Sequence, residues 1–139
     1  VQAATLGCMI AIRGVDHIGI RVIDRDRSVD FYGKLGFEVT QEHEAGRVVV
    51  LRNAAGVEIN FIVNGAPYGE GQNPLMDIGD KYPGYTHVAL AVESMEQTIA
   101  TLGRVGIPIS EGPERLGPGL SLFIRDPDRN VIELRQKPA

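Results

Sequence analysis

The chain has 139 residues, of which 43% are hydrophobic and 23% are charged, as is typical of a single folded domain. Its 14 basic and 18 acidic residues give a net charge of −4, and because they are interspersed along the chain, we expect no nucleic acid and no membrane as partner. The absence of a long apolar run and of a secretory signal pattern, together with a single cysteine, Cys8, leads us to expect a cytoplasmic protein without disulfides.

The chain contains an internal repeat. Residues 15–39 reappear at residues 85–109 without a gap, so that His17 corresponds to His87 and Gly36 to Gly106. Apolar residues match apolar residues between these positions. Such a repeat indicates two copies of one supersecondary unit. We treat residues 1–13, which fit neither copy, as an N-terminal extension.

The first copy begins with an alternating segment at residues 17–22, which predicts a half-buried strand. Asp24 is the expected N-cap of the helix that follows, and Gly36 is expected to end that helix. A short strand, a polar loop that contains His43, and a hairpin that turns at residues 53–56 complete the unit. These elements predict a βαβββ module at about residues 14–64.

Residues 65–83 are rich in glycine and proline and lack periodicity, which predicts a linker. The second copy then repeats the pattern at about residues 84–137: a strand, a helix with the capping box Ser94 and Gln97, and a hairpin that turns at residues 126–128. We expect a loop at residues 111–119 within this copy. The sequence therefore predicts one α+β domain over residues 14–139, built from two tandem βαβββ modules.

Strand parity brings chemically active side chains to the face opposite the core. His17 and His87 lie on this face of the first strand of each module, and Glu133 lies on it in the last strand. If the two sheets enclose a shared cleft, two imidazoles and one carboxylate converge, and this ligand set suits Fe(II), Mn, Ni, Co or Zn. A lone strand histidine is more often simply solvated, but here two histidines occupy equivalent repeat positions beside small residues. His43 has no counterpart in the second copy, and we expect it at the surface.

The segments HIGIRV, DRDRSVDFYGKLGF, GYTHVALAV and DPDRNVIEL resemble the vicinal oxygen chelate superfamily, which includes glyoxalase I, extradiol dioxygenases and bleomycin-resistance proteins. The resemblance covers about residues 14–136. It implies that the modules form a U-shaped cleft around one divalent metal ion (Ni, Co, Zn, Mn or Fe), held by His17, His87 and Glu133. It also implies a homodimer, and leaves open whether the cleft lies within one chain or between two.

The strongest local likeness is to glyoxalase I. It implies that Arg21 binds an anionic group of the substrate, which can be glutathione or another thiol adduct, and that Asn64 takes the position of the family's glutathione-binding Asn. The repeat aligns Asn60 with Glu133, at a position where glyoxalase I has a metal-bound Glu. Glu58, two residues earlier, has the same facing and remains an alternative for this position. Tyr85 has the facing of His87, so we place it on the substrate side with Arg21, Asn60 and Asn64.

The resemblance implies a metal-dependent lyase or isomerase of the glyoxalase type, acting on a small molecule with vicinal oxygens. In such a reaction the metal stabilises an enediolate-like intermediate and a carboxylate, here Glu133, moves the proton. Two alternatives stay open: an Fe(II) extradiol-type dioxygenase, and a metal-free drug-binding protein of the bleomycin-resistance type. We expect Arg115, in a loop, and Arg125, beside a turn, to be ordinary surface residues. The linker and the loop at residues 111–119 are expected to shape the substrate site.

Overall fold

Two four-stranded sheets and two helices make up the part of the chain that the computed structural model describes, residues 7, 9–69 and 71–139. The first module contains β1 (Ile18–Arg21), α1 (Arg25–Lys34), β2 (Glu38–His43), β3 (Val48–Arg52) and β4 (Glu58–Ile62). The second contains β5 (His87–Ala91), α2 (Met95–Val105), β6 (Glu111–Leu116), β7 (Gly119–Arg125) and β8 (Val131–Gln136). The predicted α+β fold of two tandem βαβββ modules is confirmed.

The two sheets have the same topology. The strand order is β1-β4-β3-β2 in one and β5-β8-β7-β6 in the other, and the first strand of each module runs parallel to its last strand. Gly19 is paired with Asn60 in the first sheet, and Ala89 is paired with Glu133 in the second. The register therefore confirms that Asn60 and Glu133 occupy equivalent positions.

The helix boundaries follow the predicted caps. The Asp24 side chain accepts a hydrogen bond from the backbone amide of Arg27 at 3.0 Å, and the Ser94 hydroxyl accepts one from the amide of Gln97 at 3.1 Å. Gly106 ends α2 with a φ of 77°, a left-handed conformation that glycine adopts without the penalty of a Cβ.

The predicted loops at His43 and at residues 111–119 are wrong. His43 is the last residue of β2, and residues 111–116 form β6. Both strands lie at the outer edge of their sheets, and nearly all of their residues are exposed. An edge strand that is solvated on both faces needs no apolar alternation, and a register shift between Glu111 and Glu114 interrupts the pattern further.

One hydrophobic core spans both modules. It contains alternate residues of the central strands, such as Phe61 and Leu122, together with Tyr32 from α1 and Leu102 from α2. Each sheet presents its apolar face to a helix and to the other module.

A buried polar contact also joins the modules. The Tyr32 hydroxyl, from the first module, donates a hydrogen bond to Asp126 Oδ2 in the turn between β7 and β8 at 2.8 Å. Tyr32 is 1% and Asp126 is 3% exposed, and burial raises the pKa of Asp126 and, together with the negative charge of Asp126, the pKa of Tyr32. Arg27 forms an ion pair with Asp128 at 2.8 Å beside this contact. The turn of the second module is thus attached to the helix of the first.

Replacing Tyr32 by Phe should lower the free energy of unfolding by about 1–3 kcal/mol, because the buried carboxylate of Asp126 loses a donor. Urea unfolding at neutral pH measures this change. Tyr82→Phe is the matched control, since Tyr82 is 59% exposed and its substitution should alter stability by less than about 0.5 kcal/mol. Equal stability of the two variants would contradict the bridging role of Tyr32.

Ser28 offers a second test of the packing around α1. Its side chain is fully buried, and its hydroxyl has no hydrogen-bond partner among the described residues. Ser28→Ala should therefore raise the free energy of unfolding by about 1 kcal/mol, because an unpaired buried hydroxyl is removed and alanine favours the helix. Ser94→Ala, which removes the α2 cap, should instead lower it by about 1 kcal/mol. A loss of stability in Ser28→Ala would show that its hydroxyl is bonded.

Candidate metal centre

The second module brings His87 and Glu133 together. The two residues lie on the same face of the parallel pair β5 and β8, and His87 Nε2 is 3.2 Å from Glu133 Oε1. Two ligand atoms about 2.1 Å from one ion lie about 3 Å apart when they subtend a right angle, so this spacing fits two ligands of a common metal. Ala89, two residues after His87 in β5, is paired with Glu133, and its small side chain leaves space beside the carboxylate.

Glu133 is held in place by its own sheet. It is 8% exposed, and its Oε2 accepts a hydrogen bond from the Ser121 hydroxyl at 2.7 Å. Arg135 donates to the same hydroxyl at 2.9 Å and lies 3.8 Å from the carboxylate. The Phe123 ring meets His87 edge-on, with 6.2 Å between the ring centres. The carboxylate and the imidazole are therefore both positioned by neighbouring side chains of this sheet.

The first module has a corresponding cluster. His17 Nδ1 lies 2.7 Å from Asp16 Oδ2 and 3.9 Å from Glu58 Oε2. Within residues 7, 9–69 and 71–139, these three residues form the one group of three metal-ligating side chains whose ligand atoms all lie within 4.8 Å of one another. Glu58 Oε1 accepts hydrogen bonds from Arg52 at 2.9 and 2.7 Å, so an arginine also holds this carboxylate.

The predicted metal ligands are only partly brought together. His87 and Glu133 are in contact, whereas His17 belongs to the cluster of the first module, and no group of three among the described side chains unites them. The structure also distinguishes between Asn60 and Glu58, the two candidates for a fourth metal ligand. Asn60 has the register of Glu133, but the carboxylate that approaches His17 across the sheet is that of Glu58, to which the Asn60 amide can donate at 3.1 Å.

Asp16 was not identified from the sequence. The signal available was its position directly before His17, but adjacent residues of a regular strand point to opposite faces. Asp16 precedes β1, and there the irregular backbone allows its carboxylate to reach the His17 ring.

The predicted substrate-side residues lie in two places. Arg21 Nε donates to Asn64 Oδ1 at 2.8 Å. Arg21 and Tyr85 line, together with His87, a pocket of about 230 Å³ between β1 and β5, and Tyr85 is 98% exposed. Asn60 lies apart from this pocket, beside Glu58. The pocket thus brings a cationic side chain of the first module to the histidine of the second.

The expectation that Arg125 is an ordinary surface residue is wrong. Its side chain is 16% exposed and pairs with Asp77 of the linker at 3.0 Å. Burial acts to raise the pKa of Asp77, but hydrogen bonds from the Asn73 amide and from Arg125 outweigh it and lower the pKa. The sequence could not show this pair, because 48 residues separate its members. Arg115 is exposed as expected, although it lies in β6 and not in a loop.

The comparisons with known proteins agree with the fold. Residues 14–134 match the family model of the Glyoxalase/Bleomycin resistance protein/Dioxygenase superfamily. The chain belongs to this superfamily. Its family members share the fold described above, and the predicted resemblance is confirmed.

Individual members of the glyoxalase/dioxygenase superfamily are similar over most of the chain. The glyoxalase domain-containing protein RDO1 of Mycosarcoma maydis is 29% identical over 130 residues, which cover 90% of this chain and 69% of that protein. A glyoxalase/dioxygenase from Nostoc punctiforme has a TM-score of 0.75 at 22% identity, covering 100% of this chain and 99% of the other. TnmS3, an antibiotic binding protein from Streptomyces sp. CB03234, has a TM-score of 0.67 at 23% identity, covering 94% and 100%. These two structures are similar in fold.

Neither α1 nor α2 has the length and the apolar character that a membrane crossing requires, and the same holds for every helix of the described residues.

Removal of the Ser121 hydroxyl tests whether this hydroxyl positions the Glu133 carboxylate. Ser121 is fully buried, so Ser121→Ala should cost about 1–3 kcal/mol of stability, because a buried carboxylate and an arginine both lose a partner. Ser110→Ala is the control, since the exposed Ser110 hydroxyl bonds only to a backbone carbonyl. Thermal and urea unfolding measure the difference. A cost no greater than that of the control would contradict the positioning of Glu133 by Ser121.

Proposed function

We propose that the chain is a metal-dependent lyase or isomerase that acts on a small molecule with vicinal oxygens. The observation that supports this proposal best is the 3.2 Å contact between His87 Nε2 and Glu133 Oε1. The equivalent histidine of the repeat, His17, also has a carboxylate partner across its sheet, Glu58. The two histidines are equivalent in the repeat, whereas Glu58 lies two residues before Asn60, the equivalent of Glu133. Imidazole and carboxylate donors of this kind are a suitable ligand set for a divalent Ni, Co, Zn, Mn or Fe ion.

We propose a role for each side chain around Glu133. A bound divalent ion would supply Lewis-acid polarisation of two adjacent substrate oxygens. Glu133 is the proposed base: its Oε2 is engaged by Ser121, so its Oε1, when it does not ligate the ion, would take a proton from one substrate carbon and return it to the neighbouring carbon. Ser121 and Arg135 hold this carboxylate in orientation.

Arg21 is proposed to bind an anionic group of the substrate. Its Nε is occupied by Asn64, an arrangement that directs the rest of the guanidinium towards the pocket it shares with Tyr85 and His87. A carboxylate of glutathione or of another thiol adduct has the charge and the planar geometry that an arginine binds with two parallel hydrogen bonds. Asn60 would contact the substrate or the ion from the side of Glu58.

We further propose a homodimer. Within the described residues of one chain, the pair His87 and Glu133 and the cluster around His17 do not combine into a single group. Two copies related by a two-fold axis would place the pair His87 and Glu133 of one chain opposite the His17 cluster of the other. Sedimentation equilibrium with and without added metal would test this arrangement.

A metal-free binding protein is the second candidate. Arg52 bonds to Glu58, and Arg135 lies near Glu133, so that arginines balance the charge of both carboxylates without an ion. The antibiotic binding protein TnmS3 has a similar fold. The donor set is also compatible with an Fe(II) dioxygenase, although the third histidine of the chain, His43, lies at the exposed end of β2 and gives this reading no additional support.

Metal analysis of protein purified without chelator and with oxygen excluded separates these functions. We expect stoichiometric Ni, Co, Zn or Mn, together with turnover of hemithioacetals. His87→Ala and Glu133→Gln should weaken metal binding by at least about 100-fold, beyond the usual effect of an outer-shell substitution. His43→Ala is the control and should bind metal normally.

Three outcomes would contradict the lyase or isomerase. Bound Fe with oxygen uptake on catechol-like substrates would indicate a dioxygenase. A chain that stays metal-free after reconstitution, yet binds small cationic drugs, would indicate the binding protein. Equal metal binding by His87→Ala and His43→Ala would show that the ion is held elsewhere.

A further inference from the structure

A second cavity lies between the modules, and none of His17, Glu58, His87 and Glu133 lines it. Its volume is about 580 Å³, within the range of small-molecule or peptide-segment sites. It is bounded by the end of α1, the turn between β3 and β4, and one face of α2. Its apolar lining includes the side chains of Phe37, Val57, Leu90, Leu102, Val105 and Leu134. We call this cavity the inter-module groove.

The internal repeat explains why the groove exists. By the repeat, Leu102 corresponds to Tyr32 and Gln97 to Arg27, and in the hairpins Asn53 corresponds to Asp126 and Ala55 to Asp128. On the opposite side of the molecule, the polar partners Tyr32 and Asp126, with Arg27 and Asp128, join helix and turn directly. All four counterparts line the groove, but each pair lacks one polar partner, because a leucine replaces Tyr32 and an alanine replaces Asp128. The groove is therefore the position where the second inter-module bridge is missing.

The second module shows how such a turn can be covered. The segment that precedes its first strand lies against the hairpin of β7 and β8: Asn73 donates to Asn130 at 3.1 Å, and Asp77 pairs with Arg125 at 3.0 Å. In the first module, the segment that precedes β1 lies outside the repeat, but it has the same place in the chain order, directly before the first strand of its module. By this analogy, we expect it to pack against the turn between β3 and β4.

The segment before β1 is apolar and uncovered. We define residues 9–15 as the N-terminal arm. Its large hydrophobic side chains are Met9, Ile10, Ile12 and Val15, which are 56%, 88%, 82% and 84% exposed. Four exposed apolar side chains within seven residues form a surface that water disfavours and that usually serves for docking.

The root of the arm adjoins the groove. Val15 lines a pocket of about 370 Å³ together with Ala55, Val57 and Leu90, and these same three residues also line the inter-module groove. A seven-residue segment extends over about 23 Å, so the arm is long enough to enter the groove of its own chain from this end.

We propose that the N-terminal arm docks in the inter-module groove of its own chain and inserts Ile10 and Ile12 between the turn of the first module and α2. Apolar contacts of the docked arm take the place of the polar bridge, which cannot form at Leu102 and Ala55. Because Asp16 and His17 follow the arm directly, docking also restrains the histidine cluster of the first module.

Disulfide trapping tests this docking. In a Cys8→Ser background, which removes the single natural cysteine, the pair Ile12→Cys with Thr101→Cys places one thiol on the arm and one in the groove. Thr101 lines the groove, whereas Gly103 does not and lies about 200° around α2. The matched control is therefore Ile12→Cys with Gly103→Cys. Oxidation at low protein concentration should form the intramolecular disulfide with Thr101→Cys at least about tenfold faster, because docking raises the effective concentration of the arm thiol.

Adding Ile10→Ser to the Thr101→Cys pair should slow the disulfide to the rate of the control, because an apolar anchor is lost. Equal rates for the Thr101→Cys and Gly103→Cys pairs would overturn the proposal, since an undocked arm samples both faces of α2. Disulfide-linked dimers in place of the intramolecular product would also overturn it and would assign the groove to the arm of a second copy. The assay needs neither metal nor substrate, so its result is independent of the proposed enzymatic function.

Discussion

The hydrogen bond between Tyr32 and Asp126 is the contact on which the arrangement of the two modules depends. Each module is a sheet with one helix, and one face of such a unit stays wet unless a second module covers it. Apolar packing between the modules has no direction, whereas a buried hydroxyl and a buried carboxylate must meet in one geometry, because either group alone is costly in a dry interior. This contact sets the position of β8, and with it that of Glu133, relative to the first module.

The two copies of the repeat have the same backbone register but carry different side chains at the candidate metal centre. The same register carries Asn60 in one sheet and Glu133 in the other. Glu58, two residues before Asn60 in β4, provides a carboxylate near His17. An arginine accompanies each of these carboxylates. Arg135 thus balances the charge of Glu133, whereas Asp16 leaves the cluster of the first module with one carboxylate more than Arg52 can balance. A divalent ion would have to compete with a guanidinium for Glu58 and for Glu133.

The same divergence separates the two sides of the module interface. One side is joined by a polar bridge at Tyr32, whereas the other is an apolar groove at Leu102. The side chains at these equivalent positions of the repeat therefore decide which side of the interface is bridged and which side is open. The linker follows this pattern too, since Asp77 and Asn73 attach it to the hairpin of the second module.

The sequence by itself determined the features that depend on neighbours along the chain: the alternation of β1 and β5, the caps Asp24 and Ser94, the glycine at the end of α2, and the facing of His17, His87 and Glu133. These follow from periodicity and local hydrogen bonding, which a single segment expresses on its own. Tertiary structure decided the edge strands β2 and β6, which water surrounds and whose pattern is therefore not apolar, and the pairs of Arg125 with Asp77 and of His17 with Glu58. Those contacts join residues distant in the chain, and their geometry exists only once the strands of each sheet and the linker have packed.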